Sequence, residues 1–262
     1  MRILQLILAT SLYLFAQNSI TGIVNPIYEG KLSVSTDGIV SKLFLKEGDI
    51  VTKGQIILKL DDKLQKLETI RRKLVLDDTT QLSSVKKSLN IMNEIVAKKE
   101  NLFKNTRAIS LNDLNQIRIQ HINAKGELAA LIANEKKEKI EYKISLEVLN
   151  YYNLKSPVDG VITNIKPKLG EWVQVGKEIV SIVNSKTCFV EVDIDMTLLK
   201  NLSLNSKVMV EVKDGQDIIQ KEGSVDFISV VADSSSSLVR AKIYFDNSDN
   251  VVTPGVTAEI VF

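Results

Sequence analysis

Three textures of apolar and polar positions succeed one another along the chain. Up to about residue 60, apolar residues form short β-rich runs cut by glycine. From 62 to 152 they recur at helical spacing, and after 186 they alternate again. The middle stretch has no proline and a single glycine, Gly126. A heptad seam runs through Leu82, Val85, Leu89, Met92, Val96, Lys99 and Phe103. A second runs through Leu114, Ile117, His121, Ala124, Leu128, Leu131, Glu135, Glu138, Tyr142, Ser145, Leu149 and Tyr152. Upstream, Leu60, Leu64, Leu67 and Leu74 continue an apolar face with a changed phase. This spacing predicts two packed antiparallel helices. Asn105–Ile109 is the predicted turn. Ser110 then offers a hydroxyl N-cap, with Asp113 three residues on as in a capping box. Arms of about 43 residues extend about 65 Å at the helical rise of about 1.5 Å per residue.

The β-rich stretches on either side of this insertion repeat each other. Residues 37–60, DGIVSKLFLKEGDIVTKGQIILKL, align without a gap on 159–182, DGVITNIKPKLGEWVQVGKEIVSI. Asp37, Gly38, Gly48 and Gly54 fall on Asp159, Gly160, Gly170 and Gly176, and the apolar positions match in register. Asp-Gly opens a turn, and the later glycines punctuate two further short strands. Neither copy is large enough to bury a core alone, so the two are expected to face each other as a small β-sandwich.

Each copy resembles one half of a biotinyl/lipoyl-type domain. In a lipoyl carrier a tight turn between the halves presents the modified lysine. Here Asp62-Lys63 follows the first half, but the second half begins about ninety residues later, so Lys63 is expected to start a helix. A lipoyl-like domain split by an α-hairpin resembles the membrane fusion proteins, the HlyD-like and efflux-type periplasmic adaptors. That resemblance implies an elongated α+β multi-module fold. Its parts are a lipoyl-like β-sandwich (35–61 and 154–185), a helical hairpin (62–153) and a small antiparallel β-barrel (20–34 and 186–262). It implies a non-catalytic scaffold that bridges an inner-membrane transporter and a TolC-like outer-membrane channel and self-associates into a ring, commonly of six. It also implies that the hairpin tip meets the channel through a basic residue, a leucine and a serine. The matching positions are Lys99, Phe103 with neighbouring Leu102, and Ser110, with Lys in place of Arg and Phe in place of Leu. A proton-driven RND transporter is the expected partner, with an ABC-type exporter or type I secretion system as the alternative. The sequence ends with the barrel-like segment, so the barrel is the expected transporter-facing surface.

Composition adds little that conflicts. Aromatic residues make up 5% of the chain with one Trp, which fits several slim modules better than one large core. A net charge of +2 gives no argument for a nucleic-acid partner or an anionic membrane surface. Met1-Arg2 followed by the apolar run Ile3–Ala16 has the form of a signal peptide, residues 1–16, and predicts export to the periplasm. Cys188 is the only cysteine, so no internal disulfide forms, and its strand-like setting predicts a buried structural thiol. His121, the only histidine, lies on the helical seam without a cluster of other ligands. No metal, cofactor, paired nucleophile and base, or phosphate loop is expected. A swinging-arm carrier is the competing class. The predicted export signal and the missing inter-half turn argue against it.

Overall fold

The computed structural model describes residues 19–200, 202–215 and 217–261; the expected signal peptide lies outside them. The chain begins with β1 (Ser19–Leu32), β2 (Gly38–Leu43), β3 (Ile50–Val51) and β4 (Ile56–Leu60). Three helices follow: α1 (Lys63–Asp77), α2 (Thr80–Asn105) and α3 (Leu111–Asn150). It returns through β5 (Asn153–Lys155), β6 (Gly160–Ile165), β7 (Trp172–Val173) and β8 (Val180–Asp195). It ends with α4 (Met196–Leu199), β9 (Lys207–Asp214), β10 (Asp217–Ala232), β11 (Leu238–Asp246) and β12 (Thr257–Val261).

Strands β1-β12-β9-β10-β11-β8 form a sheet, and the β1–β8 pairing closes it into a barrel. Alternating valines and isoleucines such as Val190, Val192, Val210, Ile243 and Ile260 fill its interior. β1 and β8 do not stop at the barrel. Ser19–Pro26 pairs within it, whereas Tyr28–Leu32 pairs with Val180–Asn184, where β8 also takes β6 and then β3 as neighbours. The predicted barrel strand at 20–34 therefore also belongs to the sandwich. The register slips between Pro26 and Tyr28, at the passage from barrel to sandwich. Pro26 has no N–H to give to a ladder, which suits such a slip. Asn247, fully buried, holds the junction. Its side chain donates to the carbonyls of Ser185 and Val252, both at 2.9 Å, and accepts from Val252 N at 2.9 Å. Cys188 lies beneath it, buried as expected, and burial pushes its thiol pKa up.

The second sandwich layer is β5-β4-β2-β7. Between the layers lie Val40, Val51, Ile57, Leu58, Leu60, Ile162, Val173 and Ile182. The two repeats do not form one layer each. They exchange strands: β2 of the first pairs with β7 of the second, and β3 of the first with β6 of the second. Gly48 and Gly170, and likewise Gly54 and Gly176, adopt φ between +81° and +88°, a turn conformation closed to most L side chains. The repeat in the sequence is thus a repeat in backbone conformation.

The hairpin leaves the sandwich after β4 and rejoins it at β5, where Leu60 N donates to Tyr152 O at 2.8 Å. The first arm is not one helix. It breaks at Asp78–Thr79, where no glycine or proline stands. The face of α1 that meets α3 carries Asp62, Gln65, Thr69, Arg72 and Leu76, a heptad series whose next positions are 79 and 83. The α2 seam begins at Leu82, one residue out of phase, and the two-residue interruption absorbs the difference. Asp78 Oδ1 accepts from Thr80 N at 3.1 Å, at the first residue of the new helix.

Candidate functional site

The distal end of the hairpin is built from the ends of α2 and α3. Thr106 closes α2: its N–H and its hydroxyl both donate to Leu102 O, at 3.1 and 2.8 Å. Arg107 then turns the chain with φ +49°. Ser110 starts α3 as the sequence predicts. Its Oγ accepts from Asp113 N at 3.1 Å and donates to Asp113 Oδ2 at 2.7 Å. Leu114 is 2% exposed and fills the space between the arms behind this turn. Further down, Arg118 spans the arms with Nε and Nη2 at 2.9 and 2.7 Å from Glu100 Oε1, and His121 meets Asn93 on the seam.

These contacts sort the four residues singled out by the sequence. Lys99 and Phe103 lie on the α2 seam and are half-buried. Leu102 is 45% exposed at the end of α2, and Ser110 is exposed with its hydroxyl already engaged in the cap. The turn brings Leu102 and Ser110 to the same end of the rod as Leu111, which is exposed and which sequence reasoning passed over. Its signal was available: a leucine at the first helical position, out of register with the seam that starts at Leu114.

At the root of the hairpin, Asp62 is 5% exposed between two lysines. Lys59 Nζ lies 2.8 Å from Oδ2 and Lys66 Nζ 3.1 Å from Oδ1. Burial alone raises the carboxyl pKa, but hydrogen bonds from both ammonium groups outweigh it, and the net direction is down. Among the described residues, no group of three or more His, Cys, Asp or Glu converges as a metal site. No described helix is long and apolar enough to cross a membrane.

The flanks of the hairpin hold an arrangement the sequence did not disclose. α1 meets α3 through polar groups: Thr69 Oγ1 and Gln65 Nε2 both donate to Ser145 O at 3.2 Å. Three of its four leucines point the other way: Leu64 is 84% exposed, and Leu67 and Leu74 are exposed with Ile70. α3 carries a second apolar stripe opposite its seam, with Ile119, Ile122, Ile140 and Ile144 exposed. The predicted apolar face at Leu64, Leu67 and Leu74 exists, but it does not pack within the chain.

A family model described as the RND MFP, barrel-sandwich hybrid domain matches residues 31–185, which spans both sandwich halves and the whole hairpin. The chain belongs to the membrane fusion protein family. Among curated relatives, the macrolide export protein MacA of Yersinia pestis is 22% identical over 191 residues, 71% of this chain and 51% of that protein. An uncharacterized protein of Haemophilus influenzae is 22% identical over 231 residues, 87% of this chain and 52% of that one. The chain thus spans about half the length of the curated relatives it matches. The crystal structure of MacA from Actinobacillus actinomycetemcomitans superposes with a TM-score of 0.77 at 22% identity, covering 94% of this chain and 78% of that one. At this identity the likeness shows the fold: the split sandwich, helical hairpin and barrel of a membrane fusion protein.

Proposed function

We propose that the chain is the periplasmic adaptor of a tripartite efflux system, a non-catalytic scaffold joining an inner-membrane transporter to a TolC-like outer-membrane channel. The observation that carries this reading is the rod itself. Two sandwich halves lock together across the chain, and the intervening residues project as a paired helical arm whose free end bears Leu102, Leu111 and Ser110. Such an arm supplies reach and a small contact surface. The channel contact is assigned to Lys99, Leu102, Phe103 and Ser110. Leu102 supplies the exposed apolar part; Lys99 and Phe103 act from the flank of the seam.

The hairpin flanks support self-association. The outward leucines of α1 and the outer isoleucine stripe of α3 lie on opposite sides of the same rod. A contact between unlike faces of neighbouring copies is heterologous and closes into a ring when the rotation permits. A ring of six is the expected form. The family description favours an RND transporter over an ABC-type exporter. Residues 1–16 direct export, and the working location is the periplasm at the inner-membrane complex.

The test is photocrosslinking in the native host from a probe at Leu102, with mass-spectrometric identification of the adduct. Recovery of an outer-membrane channel is the expected result. An exported chain whose Leu102 probe captures no outer-membrane protein rules the reading out. A second probe on the barrel identifies the transporter class.

A further inference from the structure

The barrel carries an apolar knob that its own fold leaves uncovered. The first half of β10, Asp217–Ser224, pairs with β9, and β11 joins on the other side only from Gly223 onward. β9 begins at Lys207 opposite Ser224, so beyond that point β10 has a strand partner only in β11. On that side the register slips between Val225 and Phe227 and again between Ile228 and Ala232, leaving Ser229, Val230 and Val231 outside the ladder. The slip is a closed structure. Ser229 Oγ donates to Val231 O at 2.7 Å and accepts from Val231 N at 3.2 Å. It presents Val230 at 100% exposure and Val231 at 72%. Bulges re-aim side chains in this way, and an exposed apolar strand end with an open edge is a liability unless a partner covers it.

Beside the knob runs a groove of about 530 Å³ lined by Phe227, Val231, Leu238, Asp193, Asp233 and Arg240. Its charge is acidic. The Arg240 guanidinium lies 3.2 Å from Glu191 and 3.5 Å from Asp193, so its charge is already matched. Asp233 accepts from Ser235 N at 3.0 Å and Ser236 N at 2.9 Å. Hydrogen bonds from both serines hold its carboxyl well below the usual range, and it stays ionised.

We propose that Val230, Val231 and Phe227 form a docking knob for a protein partner that presents an apolar pocket rimmed by lysine or arginine. The carboxylates around the knob disfavour an anionic lipid surface, and two copies meeting here face to face would bring those carboxylates together. The inference rests on the adaptor reading in taking this partner to be the inner-membrane transporter. β1 and β8 carry the chain from barrel to sandwich, and β4 and β5 carry it from sandwich to hairpin, so the knob and the channel-facing tip belong to modules at opposite ends of that path.

The test uses the full chain in its native membrane, with the transporter recovered alongside the wild type as the probe. Val230→Asp should lower transporter recovery at least about tenfold, as loss of a central apolar anchor does. Val230→Ile should retain it, and Asp193→Lys with Asp233→Lys should lower it. An unchanged unfolding midpoint and an intact channel adduct from Leu102 establish that Val230→Asp is folded. Transporter recovered at wild-type yield from Val230→Asp overturns the proposal and leaves the adaptor reading standing. A photocrosslinker at Val230 that reaches only a second copy, or only lipid, also overturns it. A wild type that recovers no transporter at all removes the adaptor reading and this inference with it.

Discussion

Asp37 in the first repeat accepts a hydrogen bond from Val175 N in the second at 2.7 Å, and its counterpart Asp159 accepts from Lys53 N in the first, also at 2.7 Å. The exchange is reciprocal throughout. Gly48 N donates to Ile162 O at 2.8 Å and Gly170 N to Val40 O at 2.9 Å, while Val40 N and Ile162 N donate to Glu171 O and Asp49 O. Each half therefore completes the turns of the other, and the sandwich forms only when both are present. Asp37→Ala and Asp159→Ala should each cost about 1–2 kcal/mol of stability, the worth of a hydrogen bond to a charged acceptor in an exposed turn. Denaturant unfolding followed by far-UV circular dichroism measures it. Equal stability of both variants and the wild type would show that these bonds do not hold the halves together.

The helical arm is expected to be dispensable for the rest of the fold. β4 and β5 pair at Lys59 and Asn153, so the chain leaves and re-enters the sandwich at adjacent positions. Replacing residues 63–151 with a short Gly/Ser linker should give a folded sandwich and barrel that still unfold cooperatively, since loop-closure cost grows only slowly with length. The same protein should lose every channel adduct. A product without dispersed amide resonances would mean that the arm is needed to bring the halves together.

Ser110 has a structural and a proposed contact role, and substitution can separate them. Ser110→Ala removes the N-cap and should cost about 1 kcal/mol, with faster amide exchange in the first turn of α3. Ser110→Thr keeps the acceptor for Asp113 N and should restore protection. Channel crosslinking from Leu102 that recovers with Thr shows that the cap, rather than the serine itself, positions the tip. Persistent loss with Thr assigns the serine a direct contact.

Much of this architecture was legible before any coordinates. The matched glycines betrayed the repeat because turns with positive φ tolerate few other residues, and Ser110 with Asp113 marked the start of α3 because capping is local. What escaped was decided by distant pairing. The exchange of β2–β7 and β3–β6 leaves no trace in either repeat, since a strand reads alike whichever strand it joins. The break at Asp78–Thr79 lacks glycine or proline; its only trace was the phase change between the leucines of α1 and the seam of α2. The outward turn of Leu64, Leu67 and Leu74 was hidden because an apolar stripe records that a face is to be covered, not by what. The slip at Ser229–Val231 had no residue signature at all.

Acid should act on the root of the hairpin through Asp62. Its folded pKa lies below the ordinary 3.8, because Lys59 and Lys66 outweigh the cost of burial. The stability it contributes is therefore fully present above the unfolded value and is lost as pH falls through the lower folded one. Asp62→Asn leaves two ammonium groups facing a neutral amide and should cost about 2 kcal/mol at neutral pH. The gap between wild type and variant should close as pH drops below about 3.8, when the wild-type carboxyl also becomes protonated. Unfolding curves for both proteins across that range decide it. A gap independent of pH would mean that packing rather than charge makes Asp62 matter.

The outward leucines of α1 supply the sharpest test of assembly. Leu64 and Leu67 are exposed and lie on the face of α1 that turns away from α3, so replacing both with glutamate removes no internal packing and should leave the unfolding midpoint near that of the wild type. If this stripe meets the isoleucine stripe of the next copy, each charge is buried against Ile140 or Ile144 and association should weaken by at least about 2 kcal/mol, roughly thirtyfold in dissociation constant. Sedimentation velocity over a range of concentrations reads the shift. Glutamates at Ile140 and Ile144 should produce the same defect from the other side of the contact. A mixture of the two variants should recover only contacts that join the intact stripe of each, giving pairs and no closed ring. Wild-type assembly by either double variant would assign the stripes to a partner other than a second copy.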